Sequence, residues 1–131
     1  MKLIEKDSIQ IFSNLKTNPT APIIKGKGEA RVIVWPEVGA NERSFFLIKM
    51  DKGSCTKVLN HSSESVYYVK EGSGMVTETN IKTNSKIIVG SMVHVENGTS
   101  YSFKAGDDGL VLIGGPCPFD GNIFSKWSIF Y

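Results

Sequence analysis

The segment GSCTKVLNHSSESVYYVKEGSG, residues 53–74, contains the pattern that decides the fold of this chain. Two runs rich in β-branched and aromatic residues, CTKVLNH at 55–61 and SVYYVKEG at 65–72, are separated by small polar residues and bounded by glycine. Short runs of this composition that end at glycine are typical of β-strands. The Gly-Ser-Gly at 72–74 gives the backbone the freedom that it needs where one strand folds onto the next.

The same pattern continues on both sides of this segment. No stretch sustains an apolar stripe with a period of 3.6 residues, and turn formers such as Asn97-Gly98 separate the apolar runs. About ten short strands are therefore predicted, in an all-β sandwich or barrel. Besides the two runs above, the predicted strands are 8–12 (SIQIF), 30–35, 44–50, 74–81, 85–90, 92–96, 100–105 and 109–115.

Two segments do not fit this alternation. Residues 14–29 contain two prolines and no periodic pattern, and they are predicted to form a loop on the outside of the barrel. The tail, residues 116–131, is rich in aromatic side chains, and so much apolar surface is expected to pack on the barrel or on a second subunit. A short helix at 121–127 is a weakly indicated alternative inside this tail.

Composition limits the possible functions. The 131 residues predict one domain, and 15 basic against 13 acidic residues leave a net charge of only +2. Neither nucleic acid nor a membrane surface is expected as a partner, because the basic residues are few and scattered. The N-terminus contains no apolar core of signal-peptide length, and the only cysteines are Cys55 and Cys117. We therefore expect a cytoplasmic protein with reduced thiols.

The glycine spacing resembles that of the cupins, a family of small antiparallel jelly rolls with two sequence motifs. The first motif has glycine, five residues, His-x-His, three or four residues, glutamate, six residues and glycine. This chain keeps that frame from Gly53 to Gly72, and it keeps the frame of the second motif from Gly90 through Gly98. The resemblance covers residues 44–115. It implies a double-stranded antiparallel β-helix, the jelly-roll barrel of the cupins.

The resemblance also identifies the positions at which cupins bind iron, manganese or similar metals. Carried over one by one, the four ligand positions are occupied here by Leu59, His61, Ser65 and Tyr101. One imidazole with a hydroxyl and a phenol is a poor donor set for a divalent metal, which needs at least three firm ligands. No metal and no other cofactor is therefore expected.

Strand alternation predicts which side chains share the interior with His61. Leu59, Ser65 and Tyr67 should face inward on one side, and Tyr101 with Phe103 on the other. Such an apolar cup with a few polar groups is typical of a small-molecule site. The predicted ligand-binding residues are Lys57 at the rim, Leu59, Ser65, His94 and Phe103, although the face on which His94 lies is left open.

Three functions remain open from the sequence. In the first, His61 is a base and Tyr101 or Tyr67 an acid, as the resemblance to metal-free cupins that epimerise, isomerise or dehydrate nucleotide-linked sugars implies. Those epimerases give the histidine a carboxylate partner, and here Glu78 is only a guess. In the second function, the cup binds a small ligand without chemistry. In the third, His61, His94 and a carboxylate hold a metal in a rearranged site.

An alternative interpretation assigns no function to these residues. In it, the inward histidine is a hydrogen-bonded core residue and the tyrosines only pack within the strands. Cupins of this size are usually dimers, so the resemblance implies a homodimer in which the N-terminal strand pairs across subunits. The apolar segment at 8–12 and the aromatic tail at 116–131 both suit that role.

Overall fold

The computed structural model describes residues 9–35, 38–40 and 42–117. Within them the chain forms one turn of 3-10 helix, Leu15–Thr17, and nine strands that pair only in antiparallel fashion. The strands are β1 (Thr20–Ala21), β2 (Ile24–Lys25), β3 (Gly28–Val34), β4 (Phe45–Met50), β5 (Cys55–Thr56), β6 (Glu64–Glu78), β7 (Thr83–Ile88), β8 (Met92–Val95) and β9 (Tyr101–Cys117). The predicted all-β class is confirmed.

Two long strands, β6 and β9, form the central ladder of this fold. They pair from Glu64 opposite Cys117 to Glu78 opposite Tyr101, with register shifts in β6 between Val69 and Gly74. The first half of β6 also pairs with β8 and its second half with β7, while β9 pairs with β5 near its start and with β4 near its end. Because bulges bend a ladder at such shifts, each strand passes from one face of the barrel to the other.

The two faces enclose one apolar core. Inward positions alternate with exposed ones along the strands, as the buried side chains of β4 and the first half of β6 illustrate. The buried apolar residues are Ala21, Ile23, Ala30, Val32, Phe46, Ile48, Met50, Leu59, Tyr67, Val69, Ile87, Val95, Tyr101, Phe103, Ala105, Leu110 and Leu112.

Some predicted boundaries are wrong. The structure has no strand at residues 9–12, where Ile9 and Ile11 are 78% and 83% exposed, and Ser8 lies outside the described residues. Apolar alternation makes a strand only where a neighbouring strand supplies hydrogen bonds, and no strand among the described residues of this chain pairs with residues 9–12. The predicted loop at 14–29 instead contains the 3-10 turn, β1, β2 and the start of β3, because Ala21 and Ile23 bury their side chains.

Other errors concern strand ends. The breaks predicted at 72–74 and between 105 and 109 are absent, since β6 and β9 continue through both glycine-containing segments. The strand predicted at 55–61 is shortened to β5, followed by an isolated bridge from Leu59 to Tyr101. Turns do lie at residues 52–53 and 97–98, as expected. The aromatic tail from residue 118 onward and the possible helix at 121–127 lie outside the described residues.

The four glycines of the two sequence frames share one backbone property. Gly53, Gly72, Gly90 and Gly98 have φ angles of 77°, 77°, 91° and 80°, which L-residues rarely adopt. The room for a side chain differs among these glycines. A Cβ at Gly72 would collide with the carbonyl oxygen of Gly109, whereas a Cβ at Gly98 would meet nothing within 4 Å. Gly72 therefore also allows β6 and β9 to approach each other.

We expect Gly72→Ala to destabilise the protein far more than Gly98→Ala. Both variants strain a positive φ at a cost of about 1 kcal/mol, but only the first adds a backbone collision, for a total of roughly 3 kcal/mol or more. Urea unfolding of both variants beside the native protein measures the difference. Equal losses in the two variants would contradict the close approach of the strands at Gly72.

Candidate functional site

The backbone around His61 is held against the start of β9. The N–H of Leu59 donates to the carbonyl of Tyr101 at 2.7 Å, and the N–H of Tyr101 donates back to Leu59 at 2.9 Å. The carbonyl of His61 accepts from the N–H of Gly98 at 2.8 Å. These three bonds fix the segment between β5 and β6 so that the imidazole enters the barrel.

A chain of hydrogen bonds joins the polar side chains inside the barrel. Tyr101 Oη lies 2.8 Å from His61 Nε2 and 2.7 Å from Tyr67 Oη. A longer and weaker contact of 3.4 Å joins it to Ser65 Oγ. All four side chains are buried, and none is more than 4% exposed. Tyr101 is therefore the centre of a buried polar network.

Aromatic rings surround this network on its core side. The ring centroid of Phe103 lies 4.9 Å from that of Tyr67 and 5.8 Å from that of Tyr101, both at steep angles. Burial in this apolar setting raises the pKa of Tyr67 well above its usual value, and the neighbouring Tyr101 adds to the shift. Tyr67 therefore holds its proton more tightly than an exposed tyrosine does.

A cavity of about 360 Å³ opens beside Tyr101 at the mouth of the barrel. We call it the barrel-mouth cavity. It is lined by Val76, Glu78, Thr83, Ser85, Val93, His94, Val95, Glu96, Thr99 and Tyr101. Valines supply the apolar walls, and Tyr101 is the member of the buried network that contributes to the lining. The network and the cavity thus adjoin at Tyr101.

Glu78 is the residue across the ladder from Tyr101. It ends β6 directly opposite Tyr101 in the β6–β9 register and opposite Thr83 in the β6–β7 register. Directly opposed residues project to the same face of a sheet, so the partly buried Glu78 shares the inner face with Tyr101. Glu78 is also one of the residues that line the barrel-mouth cavity.

The other predicted ligand-binding residues have different positions. Leu59 and Phe103 are core residues, and Lys57 is partly buried but is not part of the cavity lining. His94 projects outward from β8, where its Nε2 lies 2.6 Å from Glu64 Oε1, and it is one of the residues that line the cavity. The sheet pairing thus places His94 and His61 on opposite sides of the barrel wall.

The residues at the four positions that bind metal in cupins do not suit a metal here. Leu59 offers no donor, and His61 Nε2 is already hydrogen-bonded to Tyr101 Oη. Phenol and serine hydroxyl are weak ligands for a divalent ion unless they lose a proton. Across the part of the chain that the structure describes, no group of three or more His, Cys, Asp or Glu could hold a metal ion. This excludes, for those residues, the rearranged site with His61 and His94.

The sequence did not predict most of the residues that line the barrel-mouth cavity. Glu78 was only a guess, and Thr83, Glu96 and Thr99 were not considered. The signal that would have found Glu78 is the register of β6 with β9, because that register makes the residue opposite Tyr101 an inner-face residue. A single sequence does not reveal this register when two bulges lie between the motifs.

Comparison with solved structures identifies the fold. A cupin-like protein from Thermotoga maritima superposes with a TM-score of 0.68 at 18% identity, covering 82% of this chain and 80% of that chain. The polyketide cyclase RemF from Streptomyces resistomycificus gives 0.70 at 14% identity, covering 86% and 82%. An RmlC-like cupin from Shewanella frigidimarina gives 0.66 at 20% identity, covering 85% and 93%.

The chain therefore has the cupin jelly-roll fold, and the resemblance that the sequence indicates is confirmed at the level of the fold. No protein-family model and no curated protein matches its sequence. At identities this low, the structural neighbours share an architecture that hosts many activities, so their chemistry does not transfer directly. Among the described residues, no helix is long and apolar enough to span a bilayer.

The raised pKa of Tyr67 predicts a specific loss of stability at alkaline pH. Because the folded state holds this proton more tightly than the unfolded chain, the contribution is complete below the unfolded pKa of about 10 and disappears as pH rises beyond it. From about pH 9 to 11.5 the free energy of unfolding should fall more steeply in the native protein than in Tyr67→Phe, by up to about 1.4 kcal/mol per pH unit.

Urea unfolding across this pH range measures the two slopes. Tyr68→Phe is the matched control, because Tyr68 is the next residue of β6 but lies on its outer face and is 40% exposed. It should keep the native slope. Identical slopes for the native protein and Tyr67→Phe would show that the phenol is not sealed from water.

Proposed function

We propose that this protein takes a small polar molecule into the barrel-mouth cavity and transfers protons on it without a metal, as an isomerase, epimerase or dehydratase does. The observation that carries the proposal is the continuous chain from Tyr67 through Tyr101 to His61, which meets the cavity at Tyr101. A proton relay needs donors and acceptors within about 3 Å of each other, and both bonds of this chain satisfy that condition.

The relay has a definite proton balance. When neutral His61 carries its lone pair at Nε2, the Tyr101 hydroxyl donates a hydrogen bond to that nitrogen and accepts one from the Tyr67 hydroxyl. A proton removed from the ligand passes to Tyr101 Oη while the phenol gives its own proton to His61 Nε2. The reverse transfer returns a proton to the ligand. Tyr101 is then the contacting acid and base, and His61 acts through it.

This assignment changes the roles expected from the sequence. There, His61 was to act directly on the substrate with Tyr101 or Tyr67 as the acid. All three side chains are buried, but of the three only Tyr101 belongs to the cavity lining. The role of Tyr67 in this proposal is therefore to orient the hydroxyl of Tyr101.

A second candidate function is ligand binding without chemistry. The burial of the same hydrogen-bond network favours it. The described buried side chains include no nitrogen or oxygen without a hydrogen-bond partner, so the network is satisfied without a ligand. In this alternative the network is a structural element of the core, and the cavity is a docking site for a small effector. The two candidates differ in whether Tyr101 exchanges protons with the ligand.

The proton-transfer function is tested by deuterium exchange. The native protein is incubated in D₂O with a panel of aldoses, ketoses, amino sugars and hydroxy acids, and proton NMR follows the loss of carbon-bound hydrogen. We expect Tyr101→Phe to slow the exchange by about a hundredfold or more, since it removes the contacting hydroxyl and keeps the ring. Tyr68→Phe, on the outer face, should keep the native rate.

The outcomes of this experiment separate the two candidate functions. A panel compound that binds without any exchange would support the docking site and reject the relay. Exchange at the native rate in Tyr101→Phe would also reject it. His61→Ala is a poorer test, because truncation of a buried imidazole leaves a cavity and an unpaired phenol and so lowers stability as well.

The absence of a metal requirement is tested by elemental analysis of the purified protein. We expect less than about one tenth of an equivalent of any transition metal, since one imidazole holds such an ion too weakly. Treatment with a chelator should leave the melting temperature unchanged. Stoichiometric iron, manganese, nickel or zinc that disappears in His61→Gln would overturn this part of the proposal.

A further inference from the structure

The charge of the barrel-mouth cavity narrows the class of ligand that the proposed function requires. We infer that the ligand is a small organic molecule with a protonated amine, and that Glu78 binds this amine. The inference rests on the proposed use of this cavity and goes beyond it by naming a ligand class and a specificity-determining residue.

The first argument is the unused charge of Glu78. No hydrogen bond or ion pair among the described residues involves its side chain. Other carboxylates do have nitrogen partners: Glu29 with Arg31 at 2.9 Å, Glu71 with Lys70 at 3.6 Å, and Glu64 with the imidazole of His94 at 2.6 Å. Glu78 is less exposed than these three, yet it lacks such a partner. A partly buried carboxylate without a counter-charge is a ready acceptor for a ligand cation.

The second argument is the sign of the charge on the residues that line the cavity. Its lining includes Glu78 and Glu96 but no lysine and no arginine. A phosphate or carboxylate on a ligand would meet the carboxylates of Glu78 and Glu96, and the imidazole of the lining, His94, is already bonded to Glu64 at 2.6 Å. The nucleotide-linked sugars that the resemblance to epimerases suggested carry phosphates. The cavity therefore disfavours that substrate class.

The third argument is the shape of the walls. Val76, Val93 and Val95 cover the sides of the cavity with aliphatic surface, which suits a short alkyl chain. Tyr101 also belongs to this lining and is the partner of Glu78 in the β6–β9 register. An amine bound by Glu78 would therefore place the adjoining carbon atoms beside the phenol that the proposed relay uses.

Three probes with the same four-carbon chain test the charge preference: diaminobutane, butanediol and succinate. Binding is measured by titrating the isotope-labelled protein and following its amide NMR signals. We expect diaminobutane to shift the signals of residues 76–78, 93–96 and 101 and to bind about tenfold more tightly than butanediol. Succinate should produce no shift at these residues.

Glu78→Gln tests the residue itself. It keeps the size and the hydrogen-bonding capacity of the side chain and removes only the charge, so diaminobutane affinity should fall about tenfold while butanediol affinity stays unchanged. Glu71→Gln is the matched control, since it removes the same charge from an exposed position outside this cavity. It should bind all three probes as the native protein does.

The native protein alone already decides the ligand class, even if Glu78→Gln fails to fold. Succinate binding at the mouth, equal affinity for the diamine and the diol, or no binding of any probe would overturn the inference. A diamine preference that survives in Glu78→Gln would reject Glu78 as its source. None of these results alters the deuterium-exchange test, so failure of the inference is distinguishable from failure of the proposed function.

Discussion

The ladder between β6 and β9 is the constraint on which the rest of the structure depends. It sets thirteen pairs of residues opposite one another, from Glu64 with Cys117 to Glu78 with Tyr101. Its bulges turn both strands so that one continuous ladder contributes to both faces of the barrel. The core network and the wall of the barrel-mouth cavity are consequences of this register, because a slip of one residue would reverse the face of each side chain.

The same register explains how this interior stays polar. The four positions that bind metal in cupins hold Leu59, His61, Ser65 and Tyr101, and a buried polar group is costly unless it finds a partner. Tyr101 solves this problem because its hydroxyl is within reach of His61, Tyr67 and Ser65 at once. The centre of the barrel is therefore occupied by a phenol that stabilises its neighbours and also meets the cavity.

The cavity adds a second polar element that is independent of the network. Glu78 reaches it from the ladder, Glu96 from the segment after β8, and neither faces a lysine or arginine of the lining. The lining thus brings two carboxylates together with Tyr101, the residue at the centre of the buried network.

The sequence by itself determined the all-β class, the two motif frames and the identity of the polar residues inside the barrel, because glycine spacing and strand alternation are local properties. It did not determine that β6 and β9 continue through their glycines, that residues 9–12 lack a strand, or that Glu78 opposes Tyr101. These features depend on which strands pair and in which register. Only the tertiary structure decided them, since bulges shift the pairing without a mark in the local pattern.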